Sequence, residues 1–272
     1  MEYSDIVEKI RFNNIEELFS LLSPFGKYKN LLSGHVFRGE SSGTYKLIPS
    51  SLRMNNKDNL YAMSGLGKPI DNQSEWEYWQ VRAEYNLLRE FFIHSDNNGL
   101  RLPNVQRIRD GFNEILGITE IGFSYSEVWL PKDIRELAAL AQHYGIPSRL
   151  LDWSYDHFTA LYFAAKGALS KKNNDDVMVL WVLNTSFLSF LSHTVDKIPL
   201  VLVKPPYYDN PNLYAQQGVL TFWETKTPTQ QDIMLGVKLV DRTPLDELLY
   251  KSTVERNLED LRKQEFYPLM NQ

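Results

Sequence analysis

The alternation of apolar and polar positions predicts helices mainly in the first half of this chain and strands mainly in the second. Behind Asn13 and Asn14, suited to cap a helix, Ile15, Leu18, Leu21 and Leu22 recur at the spacing of one helical face. The segment GHVFRG at 34–39 reads as a brief strand ending at a glycine, and 45–48 as a second extended piece. Residues 54–74, rich in Asn, Asp and Gly, read as a surface excursion. Over 75–92, the spacing of Trp76, Trp79, Ala83, Leu87 and Phe91 predicts a helix with one buried side. A further helix is expected over 132–144, with Pro131 in its first turn and Gly145 as the left-handed residue that ends it. Another should follow at once, capped by Ser154 or Asp152 and turning Phe158, Leu161, Tyr162 and Ala165 inward. That reading makes 145–152 a tight polar connection.

The runs VMVLWVL at 177–183, IPLVLV at 198–203 and GVLTFW at 218–223 are β-branched and aromatic and should supply a sheet. Amphipathic stretches at 244–251 and 253–266 close the chain as helices. The expected class is α+β, a helical N-terminal half packed on a mixed, largely antiparallel sheet, without regular βαβ winding. The expected organisation is one domain over 1–272, with its core at about 30–225 and a helical extension at 244–266.

Composition narrows the chemistry. The 272 residues contain no cysteine, which removes disulfides, Cys-ligated metal centres and cysteine nucleophiles. The formal net charge of -5 gives no global attraction to nucleic acid or anionic lipid. Arg101, Arg107, Arg109, Lys132 and Arg135 gather in one region, but carboxylates interleave with them, as on a solvated mixed-charge face. The segment MEYSDIVEKI lacks the basic and apolar regions of a signal peptide, and no apolar run approaches a membrane span, so a cytoplasmic location is expected.

P-loop, spaced dinucleotide glycines, HExxH and GxSxG are all absent, so candidate chemistry rests on polar residues in apolar surroundings. Arg38 stands in a strand beside Gly39, placed either to clamp a phosphate or to pair with Glu40 or Asp152. The run AQHYGIPSRLLDWS at 141–154 gathers His143, Tyr144, Arg149, Asp152, Trp153 and Ser154, a mixture of charge and aromatic faces that suits an anionic, flat ligand. Four members also have a structural reading: His143 at a helix C-terminus, Ser154 as an N-cap, Arg149 paired with Asp152. Gln216 and Gln217 precede Gly218 at the mouth of a strand, where their amides suit sugar hydroxyls or simply face water.

Read together, these segments resemble the FRG-domain family through Phe37-Arg38-Gly39, through AQHYGIPSRLLDWSYDHFTALYFAA at 141–165, and through Gln216-Gln217-Gly218. The likeness covers about 30–225. It departs from the third signature where Asn212 or Leu213 stands for an arginine and Leu220 for an aromatic. A weaker resemblance, through Arg38, Ser154 and Gln216-Gln217 in that order, is to mono-ADP-ribosyltransferases with their split sheet. It implies NAD as substrate and no metal. It places Arg38 on the pyrophosphate and adjoining ribose, Tyr144 or Trp153 against the nicotinamide, and Phe37, Gly39, Arg149, Ser154 and Gln216 among the binding residues. The catalytic set it implies is Arg38, His143, Asp152 and Gln217, with a glutamine where such transferases usually carry glutamate. Glu224, Asp152 or Glu40 would then supply the carboxylate. The partners implied are a macromolecular acceptor, protein or RNA or DNA, and an antitoxin protein, in a toxin or phage-defence setting, with no membrane. A binding module without chemistry and a nuclease using His143, Asp152 and Glu40 are the competing readings.

Overall fold

The β-branched runs form strands in the computed structural model, which describes residues 2–12, 14–110, 125–170, 177–192, 198–207 and 214–255. The strands are β1 (His35–Glu40), β2 (Val128–Trp129), β3 (Leu150–Ser154), β4 (Val179–Asn184), β5 (Leu200–Val203), β6 (Gly218–Trp223) and β7 (Thr225–Lys226). The helices are α1 (Ile15–Leu21), α2 (Lys57–Met63), α3 (Glu77–Asn97), α4 (Gln106–Asp110), α5 (Arg135–His143), α6 (His157–Leu169), α7 (Thr185–Ser192), α8 (Gln230–Leu235) and α9 (Leu245–Glu255). The class is α+β. Among the described residues no helix is long and apolar enough to cross a membrane.

The chain divides into two compact units, Met1–Leu47 with Ser154–Ile198 and Thr243–Gln272, and Ile48–Trp153 with Pro199–Arg242. In the first unit β1 pairs antiparallel with β4 from His35↔Asn184 to Glu40↔Val179, and on its other edge Phe37 meets Ser154 at the end of β3. Helix α6 lies on β1. Its small residues Ala160, Ala164 and Gly167 recur every three or four positions, so one narrow stripe faces the strand. A Cβ at Gly39 would stand 1.8 Å from Ala160 O, and one at Gly167 would stand 2.8 Å from Ser41 Cβ. Gly39 therefore serves the approach of helix to strand.

In the second unit α3, α4 and α5 pack with β3, β5 and β6 around Phe92, Trp129, Ile134, Leu137, Leu150 and Phe222. Strand β6 lies between β3 and β5, and it pairs antiparallel with β5 from Leu200↔Trp223 to Val203↔Leu220. The basic gathering is tied down as a mixed-charge face, with Arg107 on Glu127 and Asp133, Arg109 on Asp96, and Arg135 on Glu224.

Several expectations need correction. Residues 54–74 are not a bare excursion: they contain α2, whose Leu60 and Tyr61 are fully buried. No strand forms over 45–48. Residues 150–154 are a strand where a turn was expected, because Leu150, Leu151 and Trp153 are all buried. Helix α6 consequently starts later, and Asp156 caps it by accepting from Phe158 N at 3.2 Å and Thr159 N at 2.9 Å. Its buried residues are Ala160 and Ala164, while Phe158 and Tyr162 are exposed, because only the small stripe fits against β1. The C-terminal stretch is described only as α9, and most of the expected helix at 253–266 lies outside the described residues.

Burial pushes the Asp156 carboxyl up, but hydrogen bonds from Thr159 and Phe158 outweigh it and leave the group below the ordinary aspartate range. A lowered folded value means that the cap stabilises above the unfolded aspartate value and is lost as pH falls through the folded one. Asp156→Ala should therefore lose about 1 kcal/mol at neutral pH. Urea unfolding of both proteins checks this, since the difference should shrink at acid pH.

Candidate functional site

Alternation along β1 separates the family-like triplet onto two faces. Phe37 and Gly39 point toward α6, and the Phe37 ring lies 5.6 Å from that of His157. Burial holds the His157 imidazole below the ordinary histidine range, against the pull of Asp156. Arg38 and Glu40 share the opposite face, where Arg38 Nε and Nη2 both reach Glu40 Oε1, at 2.8 and 2.7 Å. This is the Glu40 alternative of the sequence reading, and it presents a guanidinium of fixed orientation. Ser154, opposite Phe37, shares the α6 face by the same alternation, and its hydroxyl accepts from Asp156 N at 3.0 Å. Within the first unit, Phe37, Gly39 and Ser154 thus serve one face of β1 and Arg38 the other.

The remaining candidates lie in the second unit. Helix α5 delivers Gln142, His143 and Tyr144, and Gly145, at φ +89°, turns the chain away. Ser148 Oγ donates to Gln142 Oε1 and accepts from Leu150 N at 3.0 Å. Gln142 Nε2 in turn donates to Asp152 Oδ1 at 2.5 Å. The exposed Asp152 carboxylate is thereby oriented by a chain of hydrogen bonds that begins inside the turn. Tyr144 is exposed, with its ring 5.5 Å from His143 and 5.9 Å from Phe91. Trp153 is buried and donates from Nε1 to Thr221 Oγ1 at 2.9 Å.

Arg149 is the member of the run that the structure places furthest from a surface role. Its Nε donates to Glu84 Oε2 and its Nη1 to Glu77 Oε1, each at 2.7 Å, with all three side chains 4% exposed or less. The pairing with Asp152 expected from proximity in sequence does not form. Burial opposes its charge, but Glu77 and Glu84 outweigh that and hold the guanidinium above its ordinary value.

Gln216 and Gln217 form the turn into β6, where Gln217 adopts φ +44° and its N–H donates to Tyr214 O at 3.0 Å. A Cβ at Gly218 would stand 3.9 Å from Trp153 O, so the start of β6 that follows this turn lies beside Trp153 of β3. Both the oriented carboxylate and the amide turn thus belong to the second unit, with Trp153 next in sequence to the one and Gly218 next to the other. Glu224 is held by Arg135 at 2.9 Å. Asn212 and Leu213 lie outside the described residues.

Sequence reasoning missed Glu77, Gln80 and Glu84, all buried on α3. The available signal was their spacing, which sets polar groups on the same side of a helix as Val81 and Leu88. Among the described residues no group of three or more His, Asp or Glu side chains is arranged to hold a metal ion.

The family model described as FRG domain matches residues 33–173, more than half of the chain. It takes in the first two signatures and stops short of Gln216 and Gln217. No curated protein matches the chain, and no solved structure does.

Proposed function

The chain belongs to the FRG-domain family, and we propose that it is an NAD-dependent mono-ADP-ribosyltransferase acting on a macromolecule. The observation that supports this most is an exposed Asp152 carboxylate oriented by Gln142, on the strand whose Trp153 lies beside Gly218, the residue that follows Gln216 and Gln217. Cleaving the bond between ribose and nicotinamide develops oxocarbenium-like positive charge, which a nearby carboxylate stabilises and hydrogen bonds to the ribose hydroxyls reinforce. In this reading Asp152 supplies the charge that a late-strand glutamate usually supplies, and the two glutamine amides hold the hydroxyls. His143 accepts the proton of the attacking acceptor group. Tyr144, exposed, offers a face to the nicotinamide ring. Arg38 is assigned to the pyrophosphate on the strength of the resemblance and its fixed guanidinium. The split sheet of such transferases, a protein or nucleic-acid acceptor, an antitoxin partner and a role in phage defence belong to the same proposal.

A binding module without chemistry is favoured by a specific observation. Arg149, Ser148, Trp153 and Ser154 all spend polar groups on internal partners. Incubating the chain with labelled NAD and a cell lysate, then dividing the sample between protease and nuclease, separates these readings. The transferase reading expects label on one class of macromolecule, lost in Arg38→Ala and in Asp152→Asn. Folded protein that neither transfers label nor releases nicotinamide is the outcome for a binding module, and cleavage of the lysate RNA is the outcome for a nuclease.

A further inference from the structure

Two carboxylates, Glu77 and Glu84, flank the single guanidinium of Arg149 inside the second unit, and all three side chains are at least nine-tenths buried. Charge left unbalanced in such surroundings is costly, and a buried group takes up or releases a proton rather than bear it. The hydrogen bonds show where the imbalance falls. Glu84 is fully engaged: Oε2 accepts from Arg149 Nε at 2.7 Å and Trp129 Nε1 at 2.6 Å, and Oε1 accepts from Gln80 Nε2 at 2.7 Å. Glu77 accepts only on Oε1, from Arg149 Nη1 at 2.7 Å, and its Oε2 has no partner.

Gln80 is fixed in orientation, because its Nε2 donates both to Glu84 Oε1 and to Ser51 O at 2.9 Å. Its Oε1 is left buried and without a partner, like Glu77 Oε2. These are two acceptors, three residues apart on one helix, and residues at that spacing are neighbours. A single proton between them satisfies both and brings the cluster to electrical balance.

We infer that this cluster is a proton-binding site, with Glu77 in the folded protein carrying a proton on Oε2 and donating it to Gln80 Oε1. The other charges bearing on Glu77 do not remove the need. Lys238 donates its ammonium to Lys226 O and forms no ion pair with Glu77. Tyr61 donates its hydroxyl to Ser74 O, and Arg242 pairs with Glu75 at 3.6 Å and donates from Nη1 to Leu52 O at 2.6 Å. Burial also holds the Glu77 carboxyl above the ordinary glutamate range, with Arg149 pulling the other way.

The sign follows. A carboxyl raised in the folded state stabilises fully below the unfolded glutamate value, and that contribution is lost as pH rises toward and through the folded value. The folding equilibrium constant of the full chain should fall with rising pH across that window, by up to about tenfold per pH unit. Glu77→Gln should flatten this dependence while changing the constant by less than about tenfold at mildly acid pH, where the amide replaces the neutral acid. Glu84→Gln should lower it about a hundredfold or more, because it leaves Arg149 poorly paired. Infrared spectra of the unsubstituted protein at neutral pH should show a carboxylic-acid carbonyl band that is absent in Glu77→Gln. The band in the unsubstituted protein is read whether or not a variant folds, and its assignment uses Glu77→Gln shown to be folded. No such band at neutral pH, or a pH dependence that Glu77→Gln leaves unchanged, would overturn the assignment.

Discussion

Arg149→Met should destabilise the second unit by about 3–5 kcal/mol, because it removes the one cation between two buried carboxylates and leaves them to each other. Total stabilities of about 5–15 kcal/mol make that loss enough to leave much of the protein unfolded. Arg149→Lys should recover little. The guanidinium reaches Glu84 through Nε and Glu77 through Nη1, two directions that a single ammonium does not serve together. Denaturant unfolding followed by circular dichroism gives the number. A loss below about 1 kcal/mol for Arg149→Met would mean that the cluster is open to water.

Gly39→Val should cost about 3 kcal/mol or more, because its first side-chain atom would stand 1.8 Å from the backbone oxygen of Ala160. Relief requires moving α6 off β1, which also uncovers Phe37. Even Gly39→Ala should be severe, since the contact is made by Cβ itself. Gly43→Ala is the control: its Cβ would find nothing closer than 3.6 Å, so stability should stay within about 0.5 kcal/mol. Equal unfolding midpoints for the substitutions at 39 and 43 would contradict the packing account.

These two residues show what was legible in the sequence and what was not. The runs that form β4, β5 and β6 announce themselves, because β-branched and aromatic propensity is carried by adjacent residues whichever face is buried. The same holds for α3 as an element. Its buried side, however, includes Glu77, Gln80 and Glu84, and no local pattern says that an arginine 65 and 72 residues away donates to both carboxyl groups. Proximity suggested Asp152 for Arg149, whereas Asp152 accepts instead from Gln142. Ser154 and Asp156 are equally good caps as residue types, and the choice was made by burial of Leu150, Leu151 and Trp153, which draws 150–154 into the sheet. The family-like triplet was visible as a motif. That its phenylalanine and glycine face a helix while its arginine faces Glu40 depends on the pairing of β1, which lies beyond local pattern.

Nicotinamide release from NAD by the purified chain tests the proposed activity most directly, with Asp152→Asn and Arg38→Ala measured beside it and folding verified for each. Turnover is expected in the unsubstituted protein, reduced about a hundredfold or more in Asp152→Asn through loss of charge stabilisation. Turnover that survives Asp152→Asn unchanged, or no turnover by a folded protein supplied with an acceptor lysate, would contradict it.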